Sequence, residues 1–207
     1  MIPLFFDTET TGLTVPGKDP THPSQPMPVQ LGMKLDAADR KEVGAANYLI
    51  KTEGWIVNPQ AAKITGIDNA LADTYGVDLI SGMEMFFDYV AACDVMVAHN
   101  ARFDITVMRR ATAVYCAKTN HALFDPFEGK KVICTMLSAM NIVKAKPKRN
   151  GQWKWPKLEE CTKHFFGYKS EGAHDALVDV RDTAKVFYHL VDTGVFDEEP
   201  QRTRNIR

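Results

Sequence analysis

The spacing of apolar residues predicts short buried strands near the N-terminus and an alternation of helices and strands after them. Pro3 to Phe6 forms an apolar run that ends at Asp7, and residues 29–35 and 46–50 also have strand patterns. Strands are predicted again at 94–98 and at the start of 132–141, and helices are predicted at 58–67, 79–93, 102–116, 157–166 and 175–191. This order predicts an α/β fold in which helices flank a mixed central sheet.

Chain length and composition fit a single domain. The chain has 207 residues, of which 45% are hydrophobic and 25% are charged, and this is enough for one buried core. Residues 14–28 contain five prolines and few apolar residues, so they are predicted to form an exposed loop. We expect one domain over 1–195, followed by a basic, frayed tail over 196–207.

Charge and cysteine content narrow the classes of function. The net charge of −1 excludes a surface that is basic throughout, although it permits a local basic patch. The four cysteines form no CxxC pair, which predicts buried thiols rather than a zinc site or a disulfide framework. The N-terminus lacks a basic signal-peptide region, and no apolar run approaches the ~20 residues of a membrane span. We therefore expect a soluble, cytoplasmic protein.

Two carboxylates follow the first predicted strand. Asp7 and Glu9 are two residues apart, so in an extended chain their side chains lie on the same face. Two carboxylates at the end of a buried strand repel each other unless a cation neutralises them. The alternative is a solvated strand end on which the acids carry no function.

A second polar motif, HNARFD at 99–104, directly follows the predicted strand at 94–98. Open α/β sheets place ligands at the carboxyl ends of their strands, which makes Asp104 a candidate ligand. The alternative is that Asn100 or Asp104 only caps the following helix.

The third motif, HDALVD at 174–179, opens the last predicted helix. A separation of five residues places two helical side chains about 140° apart, so His174 and Asp179 cannot face one site from a continuous helix. Both can do so if His174 lies on the preceding loop and Asp175 is the N-cap. The alternative is a surface histidine and a solvated aspartate.

These three motifs, in this order, resemble the DEDDh exonucleases, which are DnaQ-like enzymes with a ribonuclease H-like fold. The resemblance covers about residues 1–191. The sister class carries a tyrosine four positions before its last aspartate. Here that position is Asp175, and the histidine stands five positions before Asp179, as in the histidine branch.

The resemblance implies a set of residue roles. Asp7, Glu9, Asp104 and Asp179 would hold two divalent cations, Mg²⁺ or Mn²⁺, and His174 would be the general base. Leu13 and Phe103 would contact the terminal nucleotide, unless they are core residues instead. The predicted substrate-binding residues in these motifs are Thr8, Thr10, Leu13, His99, Asn100 and Phe103.

Residues 144–157 form a basic segment with six basic residues, no acidic residues and two tryptophans. Basic side chains neutralise phosphates, and tryptophans stack on unpaired bases. The predicted contacts to nucleic acid from this segment are Lys146, Lys148, Arg149, Trp153 and Trp155. The alternative is a solvated loop whose tryptophans fold back onto the protein.

Three functions fit these features. The preferred one is a 3′–5′ exonuclease that releases nucleoside monophosphates from single-stranded or mismatched DNA, in proofreading or DNA turnover. Any polymerase partner would then be a separate chain. The second is an exoribonuclease or oligoribonuclease, since the sequence does not place the contacts that read the 2′-hydroxyl. The third is an inactive nucleic-acid-binding or scaffold module of a replication complex.

Overall fold

A mixed sheet forms the centre of the molecule in a computed structural model, which describes residues 1–147, 151–169, 172 and 174–196. Its strands are β1 (Pro3–Thr10), β2 (Pro28–Asp36), β3 (Glu42–Leu49), β4 (Val95–Ala98) and β5 (Lys131–Cys134). They lie in the order β3-β2-β1-β4-β5. The first three strands pair antiparallel, whereas β4 runs parallel to β1 and β5 runs parallel to β4. The predicted mixed sheet is confirmed.

Helices cover both faces of this sheet. In the described part of the chain they are α1 (Pro59–Thr65), α2 (Asn69–Tyr75), α3 (Leu79–Ala92), α4 (Ala101–Thr119), α5 (Thr135–Val143), α6 (Leu158–Phe166) and α7 (Ala176–Asp192). Helices α3 and α4 pack on one face, and α7 packs across β1 and β2 on the other.

Neighbouring side chains of β1 enter different cores, because strand residues alternate between faces. Phe6 belongs to the core under α3 and α4, where its ring packs against Phe86. Phe5 belongs to the core under α7, where its ring meets Phe187 edge to face. The same alternation decides on which side of the sheet the later residues of β1 lie.

Several helix ends lie where capping chemistry predicts them. Asn58 caps α1 by accepting a hydrogen bond from a backbone N–H, and Gly66 ends that helix with a φ of 75°. Gly167 ends α6 with a φ of 78°. Asp175 is the N-cap of α7, and its carboxylate accepts from the N–H groups of the first turn. The predicted position of His174 on the preceding loop is confirmed.

The structure differs from the predicted elements in three places. Helix α2 was not predicted, because it has seven residues and buries only Ala72, which is too little for a periodic signal. Strand β3 begins at Glu42 instead of residue 46, because the first residues of this edge strand are largely exposed. The predicted exposed loop at 14–28 ends in buried residues, since Gln25 bonds to the loop backbone and the backbone of Met27 pairs with Thr11.

Three other expectations concern composition and termini. All four cysteines are free and buried, as predicted. Across the described residues, no helix combines the length and apolar character needed to cross a membrane. The predicted basic tail falls outside the described residues from 197 onward.

Candidate active site

Asp7 and Glu9 lie on the last part of β1, the middle strand of the sheet. They share the face of Phe5, which is the face that α7 covers. Strand β4 pairs with β1 only as far as Phe5, so the carboxyl end of β1 extends beyond its parallel neighbour. The two acids therefore lie at the carboxyl-terminal end of β1, where no parallel strand covers them, next to the first turn of α7.

Asp104 reaches the same end of β1 from the first turn of α4. Its side chain is buried. The same carboxylate oxygen, Oδ1, accepts two hydrogen bonds, one from the Thr8 N–H (3.1 Å) and one from the Thr8 hydroxyl (2.8 Å). The Thr8 amide is available because β4 no longer pairs with β1 at this point. Asp104 is thus held against β1 at Thr8, the residue between Asp7 and Glu9.

Asp179 approaches from the first turn of α7, and His174 approaches from the loop before it. The His174 backbone has a left-handed φ of 73°, and its N–H points at an Asp179 carboxylate oxygen 3.3 Å away. One potential ligand atom from each of Glu9, His174 and Asp179 lies within 4.8 Å of the other two. Residues 165 or more positions apart in the chain are therefore brought to one site.

Burial raises the pKa of all four carboxyl groups, and repulsion from the other members of the set raises the pKa of Asp7 and Glu9 further. Desolvation is the largest cause in each case, and for the pKa of Asp7 the charges of Asp104, Asp179 and Glu9 add to it. The pKa of Glu9 rises to about 8. The pKa of Asp104 rises to about 7 although the hydrogen bonds from Thr8 lower it, and the pKa of Asp179 is also raised.

Within the part of the chain that the structure describes, no lysine or arginine forms an ion pair with these four carboxylates. Clustered carboxylates without a protein cation are costly unless they are protonated or bind metal. The donors are carboxylate oxygens and one imidazole, with no thiolate, and this set fits hard or borderline divalent cations.

A cleft of about 570 Å³ opens beside Glu9. Leu13 and Phe103 line it, and Leu13 is 86% exposed, so the alternative that Leu13 is a core residue is wrong. Residues of α1 line the cleft as well, among them Ile64, which is 58% exposed, and Asn58 lies at the start of that helix. A contribution of α1 to the site was not predicted from the sequence, in which Ile64 is one apolar residue of a short helix.

Other predicted substrate-binding residues make contacts within the protein. The Thr10 hydroxyl donates to the carbonyl of Gly12. Both ring nitrogens of His99 lie within hydrogen-bonding distance of protein oxygens, the Thr135 hydroxyl (2.9 Å) and the Pro156 carbonyl (3.0 Å), and burial lowers its pKa to about 4. His99 thereby ties the end of β4 to the basic segment. A direct role in substrate binding stays a prediction for Thr8, Thr10 and His99.

Asn100 precedes α4 with a left-handed φ of 68° and makes no side-chain capping bond, so the alternative that it caps the helix is wrong. Its side chain is exposed. Contact with substrate stays a prediction for Asn100.

The basic segment is described on both sides of residues 148–150. Lys146 is exposed, and the backbone at Pro147 bridges to Trp153. The ammonium of Lys144 lies 5.9 Å from the centre of the Trp153 ring, which is half-buried, whereas Trp155 is 54% exposed. The predicted contacts of Lys148 and Arg149 fall outside the described residues.

The chain is similar to known exonucleases in sequence. A family model described as exonuclease, RNase T, matches residues 4–187. A Mycobacterium tuberculosis protein named as a bifunctional exonuclease/endonuclease is 28% identical over 191 residues, which cover 91% of this chain and 26% of that protein.

The fold is similar to solved structures of Escherichia coli Exonuclease I. The complex with a dT13 oligonucleotide superposes with a TM-score of 0.73 at 20% identity, and the zinc-bound complex with single-stranded DNA superposes with 0.71 at 21% identity. Each match covers 95% of this chain but only 42% of that enzyme. The likeness confirms the predicted ribonuclease H-like fold.

Proposed function

We propose, from the premise that this chain belongs to the RNase T exonuclease family, that it removes nucleoside monophosphates from the 3′ ends of single-stranded or mismatched DNA. Membership of the DEDDh 3′–5′ exonucleases, predicted from the sequence, is confirmed, and the chain is a nuclease and a hydrolase. The observation that carries the proposal is the meeting of Glu9, His174 and Asp179 beside an open cleft.

The carboxylates would hold the metal ions. Asp7, Glu9, Asp104 and Asp179 fit two Mg²⁺ or Mn²⁺ ions, because burial raises the pKa of each carboxyl group and a bound cation would offset the cost of its negative charge. When bound, two such ions lower the pKa of a water molecule and neutralise charge on the leaving oxygen. Zinc in a complex of E. coli Exonuclease I supports divalent-cation binding by this fold.

His174 would take the proton from the attacking water at a ring nitrogen. Its side chain is exposed, while its backbone N–H is tied to Asp179, so the ring is close to the carboxylates and accessible to substrate. An imidazole ring nitrogen can accept and release a proton near neutral pH, which suits a general base. His174→Ala should fold and bind Mn²⁺ but lose activity by orders of magnitude. Near-normal activity of this variant would show that His174 is not the general base.

The cleft would hold the terminal nucleotide. Its volume of about 570 Å³ lies within the range of small-molecule sites, and Leu13, Ile64 and Phe103 provide apolar surface for a base and sugar. Glu9 borders the same cleft, so a nucleotide held there would present its phosphodiester to the acidic site.

Single-stranded DNA is the preferred substrate class. Exonuclease I of E. coli has been solved with dT13 and dA16 oligonucleotides on the same fold, which supports DNA over RNA. The exposed Trp155 and Lys146 fit unpaired bases and phosphates. The chain spans only 42% of those enzymes, so any role in proofreading or turnover is part of the proposal.

Digestion of 5′-labelled single-stranded DNA, mismatched duplex and RNA, with Mg²⁺ and with EDTA, tests the proposal. We expect a ladder of 3′-shortened DNA with Mg²⁺ and no products with EDTA. Asp7→Asn should be inactive, whereas Glu84→Gln, which changes an exposed carboxylate on α3, should match the wild type. Cleavage that persists in EDTA would contradict the proposal, and a preference for RNA would favour the exoribonuclease alternative.

A further inference from the structure

A chain of side-chain hydrogen bonds links the edge of the sheet to the segment that carries His174. On β2, the side-chain carbonyl of Gln30 accepts from the backbone N–H of Ala176 (3.3 Å), and its amide donates to the Asn47 side-chain carbonyl (3.0 Å). On β3, the Asn47 amide donates to both oxygens of the Asp175 carboxylate (3.3 Å each). Because Asp175 and Ala176 are neighbours in the polypeptide, these hydrogen bonds form a closed network.

The groups at the two ends of this hydrogen-bond network determine the orientation of the Gln30 and Asn47 side-chain amides. The Ala176 N–H can only donate, so Gln30 must offer its oxygen to it and its amide to Asn47. The Asp175 carboxylate already accepts from the N–H groups of Leu177 and Val178, so Asn47 must donate to it. The orientation with the donor of Asn47 toward Asp175 is therefore the only one that satisfies all the groups.

This network bears on the residue just before Asp175. His174 has a left-handed φ of 73°, a conformation that costs free energy for a residue other than glycine unless its surroundings hold it. The Asp175 N–H closes a turn onto the carbonyl of Gly172, and the Asp175 side chain is held by Asn47. The segment is thus fixed on one side by the sheet and on the other by the His174 N–H bond to Asp179.

We propose that Asn47 is a positioning residue for His174, which it orients through Asp175. Asn47 lies on the edge strand and is exposed, so its replacement leaves no buried cavity. The inference rests on the proposed role of His174 as the general base. It adds that the sheet edge, 127 positions earlier in the chain, holds the base in its working orientation.

The test is a set of variants assayed with single-stranded DNA. Asn47→Ala should lower kcat about tenfold, in the range found for residues that orient the groups of a metal site. KM, the Mn²⁺ dissociation constant and the unfolding midpoint should stay near wild-type values. Asn47→Asp keeps the shape but removes the donor, so it should lose at least as much. Val43→Ala changes another exposed residue of β3; it is the matched control and should have wild-type activity.

A double variant separates positioning from a general structural effect. If Asn47 acts through His174, adding Asn47→Ala to His174→Ala should cause no further loss of kcat. A further tenfold loss in that background would overturn the inference, as would a wild-type kcat for Asn47→Ala alone. Near-normal activity of His174→Ala would instead show that the proposed base is wrong, and the inference would fall with it.

Discussion

Replacing Gly32 with alanine would displace the helix that carries Asp179. Gly32 pairs with Asp7 across β2 and β1, and the start of α7 lies directly over it. A Cβ at this position would be 2.4 Å from the Ala176 carbonyl carbon, 2.6 Å from its oxygen and 2.7 Å from the Leu177 nitrogen. All three atoms belong to the backbone, so no side-chain rotation can relieve the contact.

The size of the displacement follows from these distances. Ordinary van der Waals contact begins at 3.4 Å, so the closest pair must separate by 1.0 Å, the difference between 3.4 and 2.4 Å. Overpacking of this kind costs roughly 1–3 kcal/mol of stability. A misplacement of about 1 Å in catalytic geometry can cost on the order of 100-fold in rate. Gly32→Ala should therefore stay folded while kcat/KM falls about 100-fold.

The assay compares kcat/KM on single-stranded DNA with the urea midpoint of each variant. Gly44→Ala on β3 is the matched control, because the three atoms nearest to its Cβ would belong to the Tyr89 side chain, with the hydroxyl at 3.1 Å, and that ring can move. Gly44→Ala should keep near wild-type activity. Wild-type activity and stability in Gly32→Ala would refute the reasoning that close packing of α7 on β2 places Asp179.

Further predictions concern charge. Mn²⁺ binding should tighten as the pH rises from about 6 to 9, because Asp104 and Glu9, with pKa values of about 7 and 8, must lose protons to bind a cation; a dissociation constant independent of pH, measured by calorimetry, would contradict this. The metal-free protein should lose stability between about pH 5 and 8, because the unfolded chain releases these protons near pH 4 whereas the folded chain retains them. Asp7→Asn should raise the melting temperature of the metal-free protein at pH 8, because an amide cannot ionise at a position where burial and the neighbouring carboxylates disfavour a negative charge; an unchanged or lower melting temperature would count against that repulsion. The triple variant Lys146→Ala, Lys148→Ala, Arg149→Ala should weaken DNA binding. The slope of the logarithm of the binding constant against the logarithm of the salt concentration should become shallower by about 2, whereas an unchanged slope would favour a solvated loop.

Local patterns predicted most of the fold and the acidic residues of the site. The strand at Pro3, the long helices and the N-cap at Asp175 follow from side-chain period and capping chemistry, which act over a few residues. The five proposed catalytic residues were identified by the order of three motifs, and the structure brings Glu9, His174 and Asp179 together.

Contacts between distant segments were not predictable in this way. Asp182, on α7, is buried, and its carboxylate accepts a hydrogen bond from the hydroxyl of Tyr168, which lies beyond the end of α6. The close approach of Gly32 to Ala176 and the bond from Asn47 to Asp175 depend on how α7 docks on the sheet. No short-range pattern encodes that docking, because each partner is an ordinary strand or helix residue in its own segment.

A crystal structure with Mn²⁺ and a nucleoside monophosphate tests the central claim most directly. Anomalous scattering should show two manganese peaks, about 3.5–4 Å apart, bound by Asp7, Glu9, Asp104 and Asp179 with the His174 ring facing them. Manganese bound elsewhere, or a site that leaves out Asp104 or Asp179, would contradict the account.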